Sequence, residues 1–561
     1  MSSEDIKDEK GHEPISNALS KRASYGEGVV QAIDDPTVRD FYGDSVSDSY
    51  RLKSELVSKH LAEIGMGKYQ WLLFIVTGFG WITDNFWSQG ISTVQPAMAL
   101  EFSDITKRSY SSVAYYVGLI LGASFWGISA DLIGRKPAFN ATILIGGIFG
   151  CAVAGAQNFI AFSAMWAVIG TAAGGNVPVD SMIFLEFVPG SHQWLLTALS
   201  AWWNFGQVIV SLVGWVFLAN YSCPTGSDYT TCSRSENMGW RYTMITLGAM
   251  AIAFGVIRIF VFKMPESPRY LLSKGRDAEA VEAVNYIARF NGKPETLTLT
   301  MLEEIDATLG NNPAVVTDVD AKKGLSHRDI LRENLKDYKS VNFKNLFATR
   351  KFAVHTSLTW LIWLTIGIAY PLYFGFLPSY LETKFTAESS LDKTYRNYCI
   401  VSAVGTIGPV AAGFLVETRF GRRWMMGISA ILTGVFLFAY TSARTETQDL
   451  AFQCVTGILG NFGASVPSRP VPPLVPVFLP PFSWKYAVMY AFTPESFPGP
   501  LRGTGTGTAA TLLRFGGLCA SLISANVGFS TVPIYVSAAL WVWVGVSCFG
   551  LPFETHGHAA V

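Results

Sequence analysis

Three charged side chains stand deep inside long apolar stretches of this chain. Asp84 lies in the first stretch, Asp180 in the fourth and Arg514 in the eleventh. Charges inside membrane segments cost about 2.5–3.5 kcal/mol on insertion scales, so they are functional candidates by default. A carboxyl group in a cavity of low dielectric constant can bind and release a proton near neutral pH. The sequence therefore predicts proton coupling at Asp84 or at Asp180, with Arg514 as the counter-charge. The rival interpretation is a structural ion pair or a buried, hydrogen-bonded carboxylic acid.

Twelve apolar stretches must position these residues. Of the 561 residues, 50% are apolar and 15% are charged, whereas soluble proteins carry about 25% charged residues. A bilayer core about 30 Å thick needs about 20 apolar residues per helix. The pattern predicts an all-α membrane protein with twelve transmembrane helices, and the balance of 42 basic and 42 acidic residues argues against a nucleic-acid partner. The stretches cover residues 69–98, 109–130, 137–156, 159–186, 194–219, 240–263, 352–381, 396–416, 424–443, 449–464 with 484–495, 504–526 and 532–552.

Polar segments divide the chain. We expect residues 1–68 to form a mostly disordered cytoplasmic tail, in which a short amphipathic helix after Arg51 lies along the membrane or remains a frayed linker. A central cytoplasmic loop, 264–351, with helical stretches at 276–290 and 326–340, separates bundles over 69–263 and 352–552. Residues 553–561 form a short cytoplasmic tail. Basic residues near the helix ends favour both termini inside.

The two halves repeat each other. GISADLIGRK at 127–136 matches GFLVETRFGRR at 413–423, so that Gly134 aligns with Gly421. The fourth and tenth stretches end near Glu186 and Glu495. Parallel six-helix repeats related by an axis along the membrane normal are typical of transporters.

These motifs carry a family resemblance over about residues 60–555. GISADLIGRK, PESPR at 265–269 and PESFPGPLRGTG at 494–505 resemble the major facilitator superfamily, in its sugar-porter and synaptic-vesicle-transporter-related branch. GMGKYQWLLF at 65–74 and GGNVPVDS at 174–181 favour the second of these. The resemblance implies the major facilitator fold, with two six-helix bundles rocking around a central cavity, usually driven by a proton gradient.

The resemblance also implies gating by acid–arginine networks at the cytoplasmic helix ends, which break as the protein opens inward. The alternative is a set of charged turns and snorkelling side chains. In the second copy Thr418 holds the aligned acid position and Glu417 lies one residue earlier. The gating candidates are Gly127, Asp131, Gly134, Arg135, Lys136, Glu186, Glu266, Arg269, Glu417, Gly421, Arg422, Arg423, Glu495 and Arg502.

One departure from the sugar-porter pattern bears on coupling. Sugar porters often place an arginine on the fourth helix, four residues before a glycine. Here Trp166 stands in that position before Gly170. Arg514 would have to supply the counter-charge to Asp84 instead.

Polar residues on apolar helices are candidates for substrate contacts, and these are Asn176, Asn204 and Gln207. Cys223 and Cys232, on the presumed outer side, are candidates for a disulfide bond. Asn220 begins an Asn-Tyr-Ser glycosylation sequence close to the membrane.

The sequence predicts a secondary active, proton-coupled transporter of a small organic solute, such as a sugar, an organic acid or a vitamin-like compound. Efflux of a secondary metabolite or drug is the main alternative, and a non-transporting sensor on the same fold is the third. No nucleotide, metal or nucleophile motif indicates an enzyme or a cofactor. We expect a monomer in the plasma membrane, or alternatively in a vacuolar or vesicle membrane, that binds its solute and protons.

A proline-rich segment interrupts the tenth stretch. Residues 465–485 contain seven prolines between Pro467 and Pro481, and each interior proline costs about 3 kcal/mol in a helix. We hypothesise that this segment is translated intron sequence, or less favourably a loop in a broken helix, and that the helix resumes near Trp484 or Tyr486.

Overall fold

The computed structural model describes residues 48–103, 107–192, 195–224, 227–309, 346–347, 350–375, 391–405, 421–462, 493, 499–527 and 531–552. Within these ranges the chain forms sixteen α-helices. The regions 1–47, 310–345 and 553–561 lie outside the described residues, as do the predicted helix 326–340 and the segment 465–485.

Six long helices form the first half of the molecule. They are α2 (Lys68–Ala99), α3 (Tyr110–Ile133), α4 (Arg135–Ala152), α5 (Phe159–Phe187), α6 (Leu195–Tyr221) and α7 (Gly239–Val256), which continues as a π-turn over Ile257–Val261. Asn158 caps α5, because its side chain accepts a hydrogen bond from the backbone of Ala161. The predicted stretches match these helices to within a few residues.

Six further helices form the second half. They are α11 (Arg350–Tyr370), continued by a π-turn over Pro371–Gly375, α12 (Leu391–Gly405), α13 (Gly421–Tyr440), α14 (Glu446–Phe462), α15 (Gly499–Val527) and α16 (Thr531–Phe549). These correspond in order to the predicted stretches seven to twelve.

Both halves pair their helices in the same order. In the first half α2 packs on α6, α3 on α5 and α4 on α7. In the second half α11 packs on α15, α12 on α14 and α13 on α16. The halves meet where α3 contacts α15 and α6 contacts α12. The sequence repeat therefore corresponds to a repeat of tertiary packing.

Seven helices of the described ranges are long and apolar enough to cross a bilayer by length and composition: α4, α5, α6, α7, α11, α15 and α16. Helix α2 is longer than any of them, but polar side chains along its buried face lower its hydropathy. Asp84, Asn85, Gln89 and Thr93 are all buried there. A long helix with a buried polar stripe is the expected wall of an aqueous cavity.

Four short helices cover one end of the first half. They are α1 (Asp48–Ile64), α8 (Pro268–Ser273), α9 (Asp277–Phe290) and α10 (Leu299–Thr308). The sequence predicts that α1 lies along the membrane or frays; in the structure its apolar face shares one hydrophobic core with α2, α5 and the helices after α7, and Val57 and Leu61 are buried. We call this end the basal end, and the opposite end, which carries Cys223 and Cys232, the disulfide end.

Candidate functional site

A cavity of about 90 Å³ lies between the two halves, near the middle of the long helices. Four of its twelve lining residues are aromatic, and one acidic and one basic side chain face it from opposite halves, Asp84 on α2 and Arg514 on α15. Cavities of this kind, apolar with a few convergent polar groups, are the default candidates for binding sites. The aromatic lining consists of Trp81, Tyr116, Trp203 and Tyr370.

Asp84 is 93% buried, and its carboxylate faces this cavity. One turn further along α2, Ser88 donates to the backbone oxygen of Asp84 at 3.0 Å and lies 3.1 Å from the hydroxyl of Tyr115. Because Arg514 lines the same cavity, it is the cation whose charge acts on Asp84. Trp166, at the position of the family arginine, is fully buried and carries no charge.

Arg514 also bridges the halves directly. Its guanidinium donates to the backbone oxygen of Gly174 on α5 at 2.8 Å. A backbone carbonyl neutralises a cation only partly, so the guanidinium keeps donors for an anion that enters the cavity.

Gln89, the residue after Ser88 on α2, connects the halves on the side of the cavity toward the disulfide end. Its amide nitrogen donates to the hydroxyl of Tyr370 at 3.1 Å, and its amide oxygen accepts from the hydroxyl of Tyr398 at 3.1 Å. The hydroxyl of Tyr395 donates to the backbone oxygen of Thr93 at 3.2 Å. We call Gln89, Tyr370 and Tyr398 the Gln89 network. Sequence reasoning missed it, although Gln89 is a polar residue inside an apolar stretch and could have been noticed.

Two more hydrogen bonds join the halves near the disulfide end. Trp215 donates to Asp392 at 2.8 Å, and Lys107 donates to Asn526 at 2.5 Å. Together with the Gln89 network they hold the halves together between the cavity and the disulfide end.

Asp180, the alternative proton site, lies outside the cavity. Its carboxylate pairs with Arg258 of the π-turn after α7 at 2.9 Å, and both side chains are fully buried. This is the ion pair that the sequence left open as the rival interpretation.

The three predicted substrate residues lie near the cavity helices but outside the described lining. Asn176 on α5 is fully buried, and within the described part of the chain neither of its amide atoms has a hydrogen-bond partner. Asn204 is buried and Gln207 is half-buried. The cavity lining includes four aromatic rings instead, which the sequence analysis did not single out.

The turn between α3 and α4 forms a charged cluster at the basal end. Gly134 has a φ of +107°, which disfavours any other residue. The carboxylate of Glu266 accepts from the backbone nitrogens of Arg135 at 3.0 Å and of Lys136 at 3.3 Å. Arg135 forms an ion pair with Glu186. These contacts tie the turn to the ends of α5 and α7.

The other gating candidates are only partly described. Arg269 donates to Ser58 of α1 at 2.9 Å. Glu417 and Glu495 lie outside the described residues. For the remaining candidates the structure describes the helical backbone and not the side chain: Gly127 and Asp131 on α3, Gly421, Arg422 and Arg423 on α13, and Arg502 on α15.

At the disulfide end, Cys223 and Cys232 form a disulfide bond with 5.9 Å between their Cα atoms. Asn220 lies in the last turn of α6, is exposed, and donates to the backbone oxygen of Val216 at 2.8 Å. Arg241, which the sequence analysis did not single out, donates two hydrogen bonds of 2.6 Å to Glu101.

Comparison with known proteins decides the family. The family model of the Major Facilitator Superfamily matches residues 71–480. The chain belongs to the major facilitator superfamily. Among its solved structures, the xylose transporter XylE from E. coli, in a partially occluded inward-open conformation, matches with a TM-score of 0.60 and 15% identity, over 87% of this chain and 99% of XylE. The predicted major facilitator fold, with twelve transmembrane helices in two six-helix bundles, is confirmed.

Relatives in the superfamily are named as transporters. The major facilitator-type transporter hxnZ of Emericella nidulans is 64% identical over 95% of this chain and 92% of its own length. The MFS siderochrome iron transporter 1 of Ceriporiopsis subvermispora is 42% identical over 91% and 92%. The niacin transporter NiaP of Acinetobacter baylyi is 25% identical over 90% and 100%. The chain is a multi-pass membrane protein that transports small solutes across a lipid bilayer.

Proposed function

We propose that this transporter carries a small aromatic carboxylic acid together with a proton, and that the cavity between the halves is its binding site. The observation that carries the proposal is that Asp84 and Arg514, from opposite halves, line one cavity together with four aromatic side chains. An anion needs a cation to bind, and a proton needs a carboxylate. In this cavity Arg514 is the cation and Asp84 is the carboxylate.

The chemistry of the walls selects the solute class. Arginine presents planar donors that match a carboxylate, and such charge-assisted bonds are about twice as strong as neutral ones. Trp81, Trp203 and Tyr370 offer ring faces and edges for a flat solute. Once Asp84 is protonated, a sugar would leave the Arg514 charge without an anionic partner.

The size of the cavity and the names of two relatives bear on the choice. A cavity of about 90 Å³ suits a single ring better than a large iron chelate. The name of the niacin transporter supports a pyridine carboxylate, whereas the name of the siderochrome transporter favours a chelate. We therefore place a one-ring acid such as niacin first and a siderochrome second.

Alternating access supplies the mechanism. When the Gln89 network is formed, the cavity is closed toward the disulfide end. We place the basal end on the cytoplasmic side, so that breaking this network opens the site to the outside. Proton binding at Asp84 frees Arg514 for the anion, because the two groups then no longer neutralise each other. We propose uptake by a monomer at the plasma membrane.

Transport by purified protein in vesicles with an imposed pH gradient tests this proposal. We expect gradient-driven accumulation of radiolabelled niacin, and little accumulation of xylose or of a ferric hydroxamate. Arg514→Gln should raise KM about 10- to 100-fold, because a hydrogen bond to a charged group is worth about 1.5–3 kcal/mol. Asp84→Asn should abolish accumulation but keep niacin exchange between equal concentrations.

The matched control is Arg444→Gln, which removes an arginine from the loop between α13 and α14, away from the cavity. Accumulation of the ferric hydroxamate in preference to niacin would overturn the solute class. Undiminished gradient-driven accumulation by Asp84→Asn would overturn the assignment of the proton site.

A further inference from the structure

A second carboxylate lies one helical turn from Asp84 on the basal side. The Asp180 carboxylate fills the space beside Gly80 of α2, and a Cβ atom at position 80 would overlap its Oδ2. Gly80 and Asp84 are four residues apart, so they share a helix face with an axial rise of about 6 Å. Along α2, therefore, Asp84 faces the cavity and the Asp180 carboxylate of α5 lies about one turn away on the basal side. We call Asp180 the sealed acid, because it is fully buried.

Arg258 holds the sealed acid and has partners of its own. Besides Asp180, its guanidinium donates to the backbone oxygens of Val76 at 3.0 Å, Phe139 at 2.9 Å and Thr77 at 3.4 Å. It also stacks on the Phe139 ring, with 3.8 Å between Cζ and the ring centroid. Because these contacts do not involve Asp180, the Arg258 guanidinium keeps its hydrogen bonds to backbone oxygens when Asp180 is neutral.

Within the described part of the chain, only one of the two carboxylate oxygens of Asp180 accepts a hydrogen bond. Its Oδ2 accepts from Arg258, but within the described part of the chain its Oδ1 has no hydrogen-bond partner and no contact with solvent. A buried carboxylate oxygen without a donor is costly. A proton on Oδ1 would remove the negative charge from this buried oxygen, and a neutral group costs less to bury than a charged one. An ion pair that only stabilises packing would need neither a carboxylate oxygen without a hydrogen-bond partner nor an arginine that also donates to three backbone oxygens.

We propose that Asp180 is a second proton-binding site, which receives the proton from Asp84 on its way toward the basal end. This inference rests on the proposed proton coupling and adds a residue and a direction to it. In the transfer, the O–H bond at Asp84 breaks and an O–H bond forms at Oδ1 of Asp180, so the negative charge moves from Asp180 to Asp84. One bridging water or a rotamer change of Asp84 would connect the two carboxylates, which lie beside positions of α2 one helical turn apart.

The charged and titratable groups around the two acids fit this exchange. Arg514 of α15 acts on Asp84, and the charge of Asp84 in turn acts on Tyr115 and Tyr116 of α3. Arg258 acts on Asp180, and the two acids act on each other. Each carboxylate has its own arginine, so the negative charge has a cationic neighbour before and after the transfer.

Asp180→Asn in vesicles tests the inference, because asparagine keeps a hydrogen bond to Arg258 but cannot carry the proton. We expect niacin exchange within twofold of wild type and at least a tenfold loss of pH-gradient-driven accumulation. Difference infrared spectra of the purified protein over a pH series should show two protonated-carboxyl bands in wild type. One of these should be lost in Asp180→Asn and the other in Asp84→Asn. Asp180→Glu should restore part of the accumulation.

The outcomes separate the two proposals. No gradient-driven accumulation by wild type would defeat the proposed function. Accumulation by wild type, its loss in Asp84→Asn and its full retention in Asp180→Asn would defeat this inference and leave the pair a structural one. If Asp180→Asn proves too unstable to reconstitute, the infrared bands of wild type and Asp84→Asn decide. A single carboxyl band, lost in Asp84→Asn, contradicts a second site.

Discussion

Gly80 determines whether the Asp180–Arg258 pair can form. Any side chain at this position overlaps the Asp180 carboxylate and comes within 2.6 Å of the Arg258 guanidinium. Neither group can move away easily, since both are fully buried. The residue type at position 80 thus fixes the distance between α2 and the ion pair of α5 and α7.

Replacing Gly80 should therefore destabilise the protein. We expect Gly80→Ala to lower the free energy of unfolding by about 1–3 kcal/mol, the usual cost of overpacking a buried site. Thermal unfolding of the purified protein in detergent measures the change.

Gly90→Ala is the matched control on the same helix. A Cβ at position 90 meets its nearest atom at 3.6 Å, an ordinary contact. Alanine is favoured over glycine in a helix by about 0.8–1 kcal/mol, so this variant should be neutral or more stable. Equal unfolding temperatures for the two variants would contradict the tight packing at Gly80.

Single residues also mark the limit of what the sequence could predict. Asp84 and Arg514 stand out because charge inside an apolar stretch is rare, and both line the cavity. The partner of Asp180 could not be derived, because Arg258 is 78 residues away and contacts it only through tertiary packing. Gly80 gives no sequence signal, since its importance comes from a side chain on another helix.

Among the elements, α1 shows how a short helix is fixed. Lys53 donates to Asp277 at the start of α9 at 2.5 Å and to Asp306 of α10 at 2.6 Å. Burial alone would lower the pKa of the Lys53 ammonium, but the hydrogen bonds and charges of the two acids outweigh it and raise the pKa above its ordinary value. His60, 2.9 Å from the hydroxyl of Thr296, has a pKa lowered chiefly by burial.

These two shifts predict a pH window for the docking of α1. The Lys53 contribution is complete below the unfolded pKa of about 10.4 and is lost as the pH rises through the higher folded pKa. The His60 contribution is complete above about pH 6.5 and falls as the pH drops below that value, because the buried ring resists protonation. A nitroxide label at exposed position 55 (Glu55→Cys) should be least mobile between these limits.

Two variants separate the limits of this window. His60→Gln should remove the loss of docking on the acidic side only. Lys53→Met should raise the mobility of the label at every pH up to the alkaline limit. A label with the same mobility from pH 5 to pH 11 would show that these contacts do not hold α1.

The elements were predictable to different degrees. The twelve long helices follow from apolar length alone, because the bilayer imposes it. The predicted helical stretch 276–290 corresponds to α9, whose apolar residues recur with helical spacing. Helices α8 and α10 were missed, since six and ten residues carry too little periodicity. The partners of α1 depend on acids more than 200 residues away, which no local pattern reveals.

For the whole molecule, the contact between the halves is the part that must change in each transport cycle. Tyr398 brings a second-half hydroxyl to Gln89 of the first half. Tyr398→Phe removes this hydrogen bond, worth about 0.5–1.5 kcal/mol, and should shift the equilibrium toward opening at the disulfide end by about 2- to 10-fold.

Labelling of a cysteine at position 93 measures this shift. Thr93 is buried between the cavity and the disulfide end. A membrane-impermeant maleimide added on that side should react about 2- to 10-fold faster in Tyr398→Phe. Tyr440→Phe is the control, because the Tyr440 hydroxyl accepts from Gln453 within the second half. Equal rates for the two variants would contradict a closing role for the Gln89 network.

The Gln89 network has a further consequence for how the transporter responds to voltage. An amide and two tyrosine hydroxyls carry no net charge, so making or breaking their hydrogen bonds moves no charge through the field across the membrane. That field acts with about 2.3 kcal/mol per elementary charge per 100 mV, and it has nothing to act on at this contact. Voltage therefore influences the cycle through charges that move, such as the solute and the proton, and not through this contact. When a monocarboxylate and one proton cross together, the transported charge is zero.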